Sequence, residues 1–243
     1  MTPDLNRNGD ESFSSHPKSN PHQKVIGSYI SKILRDHFGK GPESVSVSAG
    51  GHCLTVHLRN FLTNSERRLL QEDHQIIIYQ MREKLMQIMI PEIAAYLEQL
   101  TGARPEEFYY DWDLQSMSGV IAAFFPEPLP DSPPVFFEYE GKGEIEHEIV
   151  RISKQGEKAP EEIRSFEINP RTIVIVRKGI FIRIEKEFIR LGHGELLKVV
   201  KRSLERDYLR SLRVIRAVPG RKVHQFYIDY NYEQDKSVIL LVW

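Results

Sequence analysis

At 243 residues the chain has room for one or two domains, and its 40% hydrophobic and 28% charged content is that of a soluble globular protein. A formal net charge of −1 leaves no global field to attract nucleic acid or an anionic membrane. The single cysteine, Cys53, excludes an internal disulfide and fits a reducing, cytoplasmic setting; no apolar run approaches the ~20 residues of a spanning helix, and the N-terminus lacks the regions of a secretory signal.

Residues 1–23 are dominated by Ser, Asn, Pro and charge and are expected to form a disordered tail. From Val25 the apolar positions 25, 26, 29, 30, 33, 34 and 38 follow helical spacing, and Gly39-Lys40-Gly41-Pro42 breaks that helix. The glycine-rich break carries a lysine but not the spacing of a phosphate loop, so it reads as a helix-to-strand turn. Val45 and Val47, then Leu54, Val56 and Leu58, alternate with polar residues, which predicts two strands joined at Ala49-Gly50-Gly51. Thr63 followed by Glu66 is a capping box. A long helical stretch then runs from about Gln75 to Leu100, with Pro91 expected to kink it or to open a second helix, and Thr101-Gly102 to stop it. Phe108–Phe125 reads as a closing hairpin with its turn near Gln115–Gly119.

Five prolines between Pro126 and Pro134 mark a linker, taken as residues 126–142. The second half repeats the order of the first. Ile145, Ile149 and Ile152 open a helix, and Glu157-Lys158-Ala159-Pro160 stands where Gly39–Pro42 stood. The run 172–182 supplies a strand. A long helix follows from Gly194, ended by Pro219-Gly220, and Phe226–Trp243 closes the chain. Identities recur at an offset of 118 or 119 residues: Pro42/Pro160, Glu66/Glu185, His74/His193, Leu85/Leu204, Phe108/Phe226, Tyr109/Tyr227 and Asp111/Asp229. Internal duplication is the simplest account. The expected fold class is α+β: two tandem helix–strand–strand–helix–strand–strand units, residues 24–125 and 143–243, each a small antiparallel sheet covered by helices.

The first unit resembles the MpsC family, small bacterial proteins named for a sodium-translocating, membrane-potential-generating system. The resemblance rests on Gly39-Lys40-Gly41-Pro42-Glu43-Ser44-Val45, on Leu58 to Leu62-Thr63 with Glu66, on the helix containing Arg82 and Leu85, on Leu100-Thr101-Gly102 and on Asp111. It covers about Val25 to Phe125. The second unit departs at Glu157–Pro160 and has Phe181-Ile182 in place of Leu62-Thr63. The resemblance implies an accessory role near ion-translocating membrane machinery and brings no catalytic residues with it.

Candidate sites are few. His74 and His193 recur without a partner at metal spacing, so no metal is expected. Cys53 lies in a strand pattern with no counterpart in the second unit and reads as core rather than as a nucleophile. Asp111 and Asp229 are the repeated acids; they either share a proton or a cation across a pseudo-twofold axis or hold the turns of their hairpins, and the turn role is preferred. Arg202, Arg206, Arg210 and Arg213 recur every three or four residues on one helix, in a unit whose net charge of +5 contrasts with −2 in the other. They are expected to form an exposed basic face for an anionic partner. With only Tyr208 interleaved, nucleic acid is disfavoured.

No nucleophile, base and oxyanion set can be assembled and no cofactor is implied. The reading is a non-catalytic accessory or regulatory protein, cytoplasmic or peripheral at the membrane, with a protein partner. The alternative is a sensing module with a small molecule or ion held between the units. The oligomeric state is not encoded in any motif.

Overall fold

The computed structural model describes residues 21–130, 132–156, 158–210 and 223–243. Helix α1 (Pro21–Phe38) begins with proline, whose missing amide costs nothing in a first turn. Residues 21–23, which composition assigned to the tail, are therefore helical. Gly39 ends α1 at φ +73°, its amide donating to the Arg35 carbonyl at 2.9 Å. Lys40 reaches the carbonyl of Leu62 at 3.1 Å, so the lysine of this turn ties two loops together.

Strands β1 (Ser44–Gly50) and β2 (Cys53–Arg59) form the expected hairpin. Next comes α2 (Asn64–Gln71), capped as the sequence predicts: Thr63 Oγ1 accepts from the Glu66 amide at 3.2 Å, and Glu66 Oε2 accepts from the Thr63 amide at 2.7 Å. Thr63→Ala removes half of this box and should destabilise by about 1 kcal/mol. A urea midpoint unchanged from wild type would contradict that role.

Helix α3 (Gln75–Thr101) is one uninterrupted element with Pro91 inside it, not two helices, and Gly102 closes it at φ +76°. Burial of Ile78, Met86, Met89, Ile93 and Leu97 against the sheet holds it together across the proline. Such burial contributes about 1.5–3 kcal/mol per large side chain, comparable to the cost of a mid-helix proline. Strands β3 (Glu107–Asp113) and β4 (Ser118–Phe124) complete an antiparallel sheet of order β1-β2-β4-β3. Gly119 faces Trp112 in this pairing, and a Cβ at Gly119 would lie 2.2 Å from the indole, so only glycine lets the ring cover the strand.

The second unit has the same order: α4 (Lys142–Gly156), β5 (Glu162–Asn169), β6 (Thr172–Lys178), α5 (Arg183–Arg190), α6 (Gly194–Arg210), β7 (Gln225–Asn231) and β8 (Lys236–Val242). Its sheet order, β5-β6-β8-β7, is that of the first. Each unit carries a short helix (α2 or α5) ahead of its long one. The register of β5 against β6 shifts between Glu167 and Asn169. The expected Pro219-Gly220 stop lies outside the described residues.

One face of each sheet packs on its own helices: Leu54, Val56 and Ile121 against α1 and α3, and Ile173, Ile175 and Ile239 against α4. The other faces pack on each other through Cys53, Tyr109, Val120, Phe166, Val174, Tyr227 and Leu240. The molecule is thus layered helix, sheet, sheet, helix. At the seam β3 meets β7, β1 meets β5, and α3 meets α6.

Candidate functional site

Strands β3 and β7 are both sheet edges, and an edge leaves a row of backbone donors and acceptors to be satisfied. Asp111 and Asp229 satisfy them reciprocally. The Tyr110 amide donates to Asp229 Oδ2 at 2.7 Å, and the Ile228 amide donates to Asp111 Oδ2 at 2.9 Å. These are the same bond seen from the two units, since Tyr110 and Ile228 occupy equivalent positions. Each aspartate also accepts from the next amide of its own strand, Trp112 to Asp111 and Tyr230 to Asp229. The two acids therefore do not hold their own hairpin turns, the role preferred from sequence; they cap each other's edge strand across a pseudo-twofold axis.

The carboxylates need counter-ions, because buried charge is costly unless paired. Helix α6 supplies them. Arg202 donates to Asp229 Oδ1 at 2.6 Å, to the Tyr110 carbonyl at 2.5 Å and to the Ile228 carbonyl at 3.0 Å. Arg206 donates to Asp111 Oδ2 at 2.6 Å and to the Trp112 carbonyl at 3.1 Å. Arg202 is 4% exposed and Arg206 7%. The expectation of a solvated basic face is thus wrong at both positions: their charge is turned inward, where opposed carboxylates outweigh hydration. Arg210 is half-exposed, 4.0 Å from Asp113, and Arg213 lies outside the described residues. What α6 shows to solvent instead is Leu196, Val200 and Leu204.

The pseudo-symmetry is broken where it must be. Glu83 on α3 and Arg202 on α6 hold equivalent positions and face each other at 3.9 Å. Lys198 bridges Glu83 at 3.2 Å and Asp229 at 3.1 Å, and the Tyr110 hydroxyl donates to Glu83 at 2.7 Å. Across the sheets, Lys236 pairs with Glu107 at 2.7 Å, while at the equivalent place Gln225 donates to Ser118 at 2.8 Å. Like charges at equivalent positions of a dry seam need a cation between them, as Asp111 and Asp229 have in Arg202; at Glu83 and Arg202 acid meets base instead. Divergence of one unit toward acid and the other toward base removes the conflict, which gives the uneven charge of the two halves a structural cause.

Burial alone would raise the Asp229 carboxyl, but Arg202 and Lys198 beside it and the amides of Tyr110 and Tyr230 hold it below the usual carboxylate range. Glu66 is likewise held low: burial opposes, and Arg82 with the Thr63 amide prevails. Both folded values lie below their unfolded ones. Their stabilisation is therefore complete above the unfolded values of about 4 and is lost as pH falls through the folded values. The thermal midpoint should be level near neutral pH and drop on acidification below about pH 4. A midpoint that rises on acidification contradicts the assignment.

Beside the seam lies a groove of about 560 Å³ between the first half of α3 and the second half of α6. Ile76, Tyr79, Val200 and Leu204 wall it, and Arg206 and Arg210 line it. Cys53 is buried between the sheets, which pushes its thiol well above the ordinary range. Among the described residues no group of three or more His, Cys, Asp and Glu is placed to hold a metal ion. His74 precedes α3 without a side-chain cap bond. Sequence reasoning passed over Glu83; its signal was the exchange of acid for base with Arg202 at the equivalent position, whereas Lys198, whose equivalent is Tyr79, carried no such signal.

Residues 20–127 match the model of the family described as the Na+-translocating membrane potential-generating system, MpsC. That span covers the first unit, from α1 to β4. No curated protein and no solved structure matches the chain. No helix among the described residues is long and apolar enough to cross a membrane.

Proposed function

We propose that the chain is a non-catalytic accessory or regulatory protein of a Na+-linked, membrane-potential-generating system. It works from the cytoplasmic side through protein contacts, peripheral to the membrane. The observation that carries this reading is the family match over residues 20–127, extended here to the second unit as a divergent copy. The geometry supports it in one respect. The acids and bases that sequence singled out as candidates are spent on joining two units into one body, as Asp111, Asp229, Arg202 and Arg206 are. A molecule so arranged offers outer surfaces rather than a reacting centre. In cells that carry the protein, its loss should lower the Na+-dependent part of the membrane potential, read with a potential-sensitive dye in Na+ and in K+ medium. An equal potential with and without the protein in Na+ medium overturns the link.

A second reading, sensing of a small molecule between the units, is favoured by the groove between α3 and α6. Its test is a ligand screen by thermal shift: a compound that stabilises wild type but not Ile76→Glu supports it. A screen in which Ile76→Glu changes no response counts against it.

A further inference from the structure

A helix that buries its cations must put its apolar residues somewhere else. On α6 they go outward: Val200 is 54% exposed, and Leu196 and Leu204 are exposed as well. On α3 the outward positions are Ile77, Met81 and Ile88, the last 61% exposed. Exposed apolar residues scattered singly need no account, but these six line two helices that pack together. We propose that the outer face of the α3–α6 pair is a self-association surface, on which a second copy of the chain lays the same two helices.

The observations favour that occupant over others. On α3 the positions 77, 81, 84 and 88 are spaced four, three and four apart, the repeat of a seam packed against another helix. On α6, 196, 200 and 204 continue one stripe at intervals of four. A helix lying on lipid carries Lys and Arg along a wide polar face. This face instead carries Lys84 and Glu195 paired with each other, a neutral couple that a second copy can match with its own. Part of the face also repeats between the units. Ile77 corresponds to Leu196 and Met81 to Val200 at the offset of the repeat. The helices run antiparallel, since Lys84 meets Glu195 while Tyr79 meets Arg206. A two-fold dimer buries one patch against its own copy, so two such pairs stacked face to face would make a four-helix arrangement with the apolar stripes inside. The seam is continuous with the α3–α6 contact that already joins the units.

The test is sedimentation equilibrium of the full chain over a concentration series. Wild type should show twice the chain mass at tens of micromolar. Met81→Glu with Val200→Glu should weaken association at least about tenfold, because both side chains sit at the centre of the face. Far-ultraviolet circular dichroism should be unchanged, since both are exposed. If that variant does not fold, Leu196→Ser with Val200→Ser is read in its place and should also shift mass toward the monomer. Phe137→Glu, an exposed apolar residue outside the face, should associate like wild type. Wild type that stays at single-chain mass overturns the proposal, as does association that survives the seam variants or is lost only in Phe137→Glu. Single-chain mass together with flotation on phosphatidylcholine vesicles would assign the face to lipid instead.

Discussion

Arg202→Ala should lower the free energy of unfolding by about 3–5 kcal/mol, the range for removing one partner of a buried ion pair. The guanidinium is the hub of the seam. It bonds the Asp229 carboxylate and two edge-strand carbonyls, one from each unit, at 2.5–3.0 Å. Its loss leaves Asp229 in a dry site with Lys198 at 3.1 Å as its remaining cation. It also leaves the carbonyls of Tyr110 and Ile228 without this donor. Lys198 can take up part of the charge, which argues for the lower half of the range. Arg210→Ala is the internal comparison: its side chain is half in water and should change stability by less than about 0.5 kcal/mol. Chemical denaturation of both variants beside wild type separates the two outcomes. If Arg202→Ala behaves like Arg210→Ala, the seam does not hold the units together.

Glu66→Ala should cost a similar amount, about 3–5 kcal/mol, for a different reason. Glu66 and Arg82 are wholly buried inside the first unit, joined by two bonds of 2.7 and 2.9 Å. The guanidinium lies over Trp112 at 4.6 Å and Phe61 at 4.8 Å, and its Nη2 also donates to the Phe61 carbonyl. Aromatic faces attract a cation but do not neutralise it. Without the carboxylate the charge is stranded, and the capping bond to the Thr63 amide is lost as well. Tryptophan fluorescence followed through a urea titration reads this directly, because Trp112 stacks on Arg82. A midpoint and slope equal to wild type would show that Arg82 needs no counter-ion. The second unit repeats the device with Glu185 and Lys201 at 2.6 Å, the lysine lying over Phe181 and Tyr230.

Glu66 and Glu185 were legible as anchors of a repeat, and Thr63 as a cap, because both signals are local. A capping box is complete within four residues, and alternation along β1, β2 or the closing hairpins is complete within seven. The duplication is equally a property of the chain, visible in the order of its anchors. The groove, the seam and the pairing of Asp111 with Arg206 are not, since those two residues lie 95 positions apart. Helix α3 settles a choice its local signals left open: Pro91 allowed a kink or a second helix, and with packing against the sheet the element stays one helix.

What the sequence by itself determined is the two-fold repetition, the α+β class, the antiparallel hairpins and the uneven charge of the halves. What only the tertiary structure decided is which way that charge points. Four arginines at helical spacing look alike whether they face water or a partner. Hydration and ion pairing compete at every such residue, and the winner is set by whether carboxylates from another part of the chain arrive at hydrogen-bonding distance. Here the edges of two sheets bring Asp111 and Asp229 to α6, so Arg202 and Arg206 turn inward and Leu196, Val200 and Leu204 are left outside.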